Sequence, residues 1–147
     1  HQWWYSVVGN DQVDDPWLDE ALANYSTVLY YEITQDTQTA AAAIEEHIDQ
    51  RYQAYVQSYG DGIVGGPTRE YTRSSYYPLV YAKGALFFGA LRGEMGEEAF
   101  FRGLRTYYGD FKYRVATPED LLHTMEQAHG QPLDEFFQRW VFSAEGI

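Results

Sequence analysis

The sequence predicts a single all-α domain of six or seven helices. Three observations point there. Apolar side chains recur at three- and four-residue steps through most of the 147 residues. Helix start and stop signals punctuate these runs at workable lengths. Period-two alternation is missing, apart from short stretches near 63–73 and 111–116. No repeat of roughly 33 to 45 residues is present, which excludes a solenoid.

Residues 1–8 read as the last turns of a helix stopped by Gly9-Asn10. Asp15-Pro16 starts the second helix: the Asp15 side chain accepts from free backbone N–H groups, and Pro16 fits the first turn. It runs to residue 32 or 34, with Trp17, Ala21, Leu22, Tyr25, Val28 and Leu29 inward. Residues 37–58 are the clearest amphipathic segment, with Ile44, Ile48, Tyr52, Tyr55 and Val56 on one side. Residues 59–73 are Gly-rich and contain Pro67, a loop long enough to consider for binding. A fourth helix spans 77–95, where Gly84 and Gly89 suggest close helix contacts. The fifth spans 97–109, with Phe100, Phe101, Leu104, Tyr107 and Tyr108 inward. Thr117-Pro118-Glu119-Asp120 is a strong start for a sixth helix over 118–128, ending near Gly130. A seventh, 132–142, buries Leu133, Phe136, Phe137, Trp140 and Val141.

Composition narrows the function. An apolar fraction of 45% supplies a core and excludes a disordered chain. No cysteine is present, so disulfide frameworks and Cys-based zinc fingers are out. No apolar run is long enough for a membrane span. A net charge of −12 argues against nucleic acid as a partner. The charge is uneven: residues 1–50 hold ten acidic and no basic residues. That suits either a solvated face or a site for a cation, such as a metal or a substrate ammonium group.

His1, the stretch Trp17-Leu18-Asp19-Glu20-Ala21 and the stretch Tyr81-Ala82-Lys83-Gly84 stand out chemically. In an antiparallel helix hairpin, His1 and Glu20 differ by only about 4 Å along the axis. Imidazole and carboxylate both suit zinc. On spacing alone, a shared metal and a plain surface pair both fit. Asp19 points about 100° away from Glu20 on a helix and reads as an electrostatic neighbour. Lys83 can pair with a nearby carboxylate. His47, His123 and His129 read as surface residues, and Arg69 and Arg73 as solvated charges or carboxylate binders.

These stretches resemble the zinc aminopeptidase family of membrane alanyl aminopeptidase and leukotriene hydrolase, the gluzincin metallopeptidases. That family carries His-Glu-x-x-His, then eighteen residues, then Glu in a Trp-Leu-Asn-Glu-Gly-type sequence, and downstream a Tyr-x-Lys-Gly. Here eighteen residues separate His1 from Glu20, with Asp19 for the usual Asn and Ala21 for Gly. Tyr81-Ala82-Lys83-Gly84 follows sixty-one positions after Glu20. The resemblance makes His1 the second zinc-ligand histidine, Glu20 the third protein ligand and Tyr81 the tyrosine that assists catalysis. By position alone, Asn24, one helical turn after Glu20, either bonds a ligand histidine or is a plain polar position, and Tyr76 and Tyr77 either line the substrate cleft or pack.

The resemblance further implies zinc as cofactor, a peptide as substrate and an upstream α/β subdomain of the same protein as structural partner. The whole chain, 1–147, becomes the helical C-terminal part of a thermolysin-like catalytic domain. The first ligand histidine and the general-base glutamate fall before His1, so the chain reads as a piece of a longer protein, expected to be inactive alone. The alternative is a non-catalytic helical module that binds peptides or proteins.

Overall fold

A computed structural model describes residues 1–144. Among these described residues, seven α-helices follow in order: α1 (Trp17–Thr34), α2 (Thr37–Ile44), α3 (Gln50–Tyr59), α4 (Gly84–Met95), α5 (Glu97–Phe111), α6 (Pro118–His129) and α7 (Asp134–Val141). Two π-helical stretches extend them. Glu45–Asp49 joins α2 to α3, and Tyr77–Lys83 leads into α4. The predicted third and fourth helices are therefore continuous, each with a widened turn, a feature frequent at functional sites.

The N-terminal expectation is overturned. Residues 1–7 form turns, and Val8–Gly9 is a short strand, β1. It pairs in parallel with β2 (Arg114–Val115), inside one of the two stretches with weak alternation. Tyr113 N–H donates to the Val7 carbonyl at 2.6 Å, and Ala116 N–H to that of Gly9 at 2.8 Å. Tyr5 sits at φ 90°, outside helical backbone space. Aromatic and β-branched residues dominate the segment, and a short helix barely offsets its nucleation cost. The pairing with residues 113–116 satisfies these backbone groups instead. Residues 63–73 contain no strand; a single 3₁₀ turn, Thr68–Glu70, lies there.

The start of α1 also differs in detail. The Asp15 side chain makes no capping bond. Its carbonyl accepts from Leu18 N–H at 3.3 Å, and the Pro16 carbonyl from Glu20 N–H at 3.3 Å. By contrast, Thr117 and Asp120 form the full reciprocal capping box at α6, and Gly130 ends that helix at φ 78°.

The core is aromatic and lies between α1 and α4, continued by α5, α6 and α7. Trp17 meets Phe87 edge-on at 5.8 Å, and Tyr25 packs against both Phe88 and Phe100. Phe137 and Val141 are buried as expected, whereas Phe136 and Trp140 are half-buried and stack on each other.

Gly84 is where α1 and α4 come closest. A Cβ there would lie 2.5 Å from the Ala21 Cβ. Gly89 has no such constraint, its nearest neighbour being 3.8 Å away. Gly84→Ala is expected to destabilise the chain by about 1–3 kcal/mol, because backbone separation costs more than the helix gains from alanine. Chemical denaturation checks this. Added Ala21→Gly is expected to restore part of the loss; no recovery would locate the strain elsewhere.

Candidate functional site

Three elements converge on one spot. Glu20 lies on the first turns of α1, Tyr81 on the π-helical turn before α4, and His1 at the end of the turn segment. β1 pairing with β2 anchors that segment beside α1, and Trp4 donates from its indole nitrogen to the Ser26 hydroxyl at 2.8 Å. The His1 Nε2 meets Glu20 Oε2 directly. The pair predicted from spacing thus forms, though a hydrogen-bonded turn delivers His1 and not a helix hairpin.

Asp19 is closer than its helical angle suggested. Its carboxylate is buried and lies 3.9 Å from His1 Nε2. Asn10 and Gln12 side-chain amides donate to it at 3.0 and 3.4 Å. Burial raises its pKa above the usual carboxylate value, and the Asn10 bond works against that shift. One ligand atom each of His1, Asp19 and Glu20 lies within 4.8 Å of the others. An imidazole nitrogen and carboxylate oxygens are donors that suit zinc, so the chemistry of the set fits a divalent metal. Periodicity could not show Asp19's orientation, because its amide partners come from the loop before α1.

Tyrosines wall the other side. The Tyr81 ring meets His1 edge-on at 6.4 Å, Tyr76 at 5.9 Å, and stacks on Tyr77 at 5.1 Å with a 15° tilt. Burial, then the adjacent Glu20, raises the Tyr81 pKa, so its hydroxyl keeps its proton at neutral pH. Tyr76 donates to Glu20 Oε1 at 3.5 Å, and burial followed by that carboxylate pushes it up to about 12. Tyr77 donates to the His47 carbonyl at 3.4 Å.

Asn24 does not bond His1. Its amide donates to the Tyr81 carbonyl at 3.0 Å, fixing the backbone that carries the phenol. Lys83 does find its carboxylate: it is fully buried and donates to Asp61 at 2.7 Å and to the Gly62 carbonyl at 2.8 Å. Arg69 pairs with Asp14 at 3.0 Å on the surface, while Arg73, His47 and His123 are exposed and His129 half-buried, all outside the cluster.

Comparison with known proteins identifies the family. Residues 1–140 match the Peptidase family M1 domain. Glutamyl aminopeptidase of Rattus norvegicus is 27% identical over 144 residues, covering 96% of this chain and 15% of the relative. Aminopeptidase N of Lactococcus lactis is 26% identical over 147 residues, covering 96% and 17%. An M1 zinc metallopeptidase from Deinococcus radiodurans superposes with a TM-score of 0.74 at 27% identity, over all of this chain and 32% of that one. The chain thus spans under a fifth of these curated relatives and about a third of the solved structure. A match running from His1 to Trp140 takes in the whole cluster and nearly every helix around it, and on that ground the chain belongs to peptidase family M1.

Proposed function

We propose that residues 1–147 form the helical part of a zinc metallopeptidase catalytic domain that cleaves peptide bonds next to a free N-terminus. The meeting of His1, Glu20 and Tyr81 carries this reading. His1 and Glu20 hold the zinc from this chain, and an upstream α/β part of the same protein supplies the remaining histidine and a general-base glutamate. Bound zinc makes a water more nucleophilic and polarises the scissile carbonyl. The Tyr81 hydroxyl donates to the carbonyl oxygen as it gains negative charge. Asn24 and the neighbouring rings of Tyr76 and Tyr77 hold that hydroxyl in place, and the two tyrosines line the substrate cleft. The N-terminal specificity follows the aminopeptidase names of the relatives.

The full-length protein tests this. Chelation is expected to abolish release of N-terminal residues, and added zinc to restore it. Glu20→Gln is expected to lower zinc affinity by at least about tenfold, since a neutral amide replaces a charged ligand. Peptide hydrolysis that survives exhaustive chelation would end the metallopeptidase reading. Peptide binding without cleavage would favour the non-catalytic module. The chain alone, with His1, Glu20 and an Asp19 already engaged by Asn10 and Gln12, is expected to bind zinc weakly and cleave nothing. Chelator-sensitive hydrolysis by the isolated chain would contradict that.

A further inference from the structure

Arg51 is the first lysine or arginine in the sequence and the second residue of α3. Its guanidinium lies over the Tyr77 ring, 5.4 Å from the centroid. Among the described residues, Arg69, Lys83 and Arg92 are each paired with a carboxylate, and no carboxylate pairs with Arg51. The residues three and four positions from it are Ile48, His47, Ala54 and Tyr55, none of them acidic. An exposed cation held by an aromatic face, with no anion of its own, is positioned to take one from a ligand.

Its distance from the reacting end is set by stacked rings. Tyr77 lies 5.1 Å from Tyr81 and Arg51 5.4 Å from Tyr77, which places the guanidinium within about 11 Å of the phenol ring. An extended peptide advances about 3.3–3.6 Å per residue, so this separation is at most about three residues. The Tyr77 hydroxyl bond to the His47 carbonyl fixes the intervening ring. The opposite end of the cluster is negative, with Asp19 and Glu20. The residues thus run from carboxylates at Asp19 and Glu20, past Tyr81 and Tyr77, to a cation at Arg51, the same order of charge that a peptide needs from its ammonium end to its carboxylate.

We propose that Arg51 is the carboxylate-binding end of the substrate cleft, pairing with a carboxylate on the third residue of the peptide, two residues beyond the bond adjacent to Tyr81. The carboxylate is either the C-terminus of a tripeptide or an acidic side chain within a longer peptide. This rests on the peptidase reading above.

The test uses the full-length protein and pairs of peptides: a tripeptide as free acid and as C-terminal amide, and an amidated pentapeptide with Glu or Gln at position three. The wild type is expected to favour the charged member of at least one pair by about tenfold in kcat/KM, mostly through KM. Arg51→Gln is expected to bring that ratio close to one, and Arg51→Lys to keep part of it. A preference confined to the tripeptide pair identifies the C-terminus as the source; one confined to the pentapeptide pair identifies the side chain. Arg51 is exposed, so its replacement leaves the core intact. Equal kcat/KM for both members of both pairs in the wild type, or a ratio unmoved by Arg51→Gln, would overturn the proposal. If no peptide is cleaved, the peptidase reading fails. The proposal is then decided by the affinities of the same peptides, measured calorimetrically: a charged-over-neutral preference lost in Arg51→Gln supports it, and equal affinities overturn it.

Discussion

Tyr81→Phe in the full-length protein is expected to lower kcat by about 10²–10³-fold while leaving zinc content and fold intact. The magnitude is that of removing one preorganised donor to a developing oxyanion, about 2.7–4 kcal/mol. The substitution removes the hydroxyl beside Glu20 and spares the ring. The contacts of Tyr81 with His1, Tyr76 and Tyr77 are made by its ring, which phenylalanine keeps. Asn24 bonds the Tyr81 carbonyl, which the substitution does not touch. KM is therefore expected to move little, because the lost bond strengthens only as charge develops on the substrate. Metal analysis and steady-state kinetics on the same preparation check this. Zinc lost together with activity would make Tyr81 a support for the metal site, and an unchanged kcat would remove it from the chemistry.

How well the sequence foretold this site depends on how local each signal is. The capping box of Thr117 and Asp120 and the amphipathic face of 37–58 are short-range features, and both appear in the fold. Gly84 was legible because a glycine inside an apolar helix usually marks close approach, and Ala21 is that close. His1, Glu20 and Tyr81 were legible only as spaced motifs. Nothing in periodicity brings together residues up to eighty positions apart. The first eight residues were misjudged as helix because their bonding partners, Tyr113 and Ala116, lie more than a hundred positions away. The π-helical turns were equally hidden, since an extra residue in a turn reflects packing between helices and not helix propensity. Asp19 and Arg51 show the same limit at the site. Their surroundings come from a loop and from a different helix, and neither carries a sequence signal of its own.

Lys83→Ala is expected to destabilise the chain by about 3–5 kcal/mol, the usual cost of leaving one member of a buried ion pair without its partner. Both members are out of solvent: Lys83 is 0% and Asp61 6% exposed. The lysine also holds the Gly62 carbonyl, so it ties the Gly-rich loop to the turn that bears Tyr81. The Tyr52 phenol would remain near Asp61; burial first, and that carboxylate second, already raise its pKa well above the ordinary tyrosine value. One hydroxyl does not balance a buried carboxylate, so the charge must either protonate or draw in water. Replacing both members, Lys83→Met with Asp61→Leu, is expected to cost less than the sum of the two single changes, because no charge is then stranded. Urea denaturation of the wild type, Lys83→Ala, the single variants Lys83→Met and Asp61→Leu and their double variant measures this as shifts in midpoint at constant m. A loss below about 1 kcal/mol in Lys83→Ala would mean that water reaches Asp61 readily and that the pair is not the anchor of this loop. A full loss recovered in the double variant would instead identify the ion pair as an orienting device. Its contribution would then be to fix where the Tyr81 turn sits, with little net stability over an apolar pair of similar size.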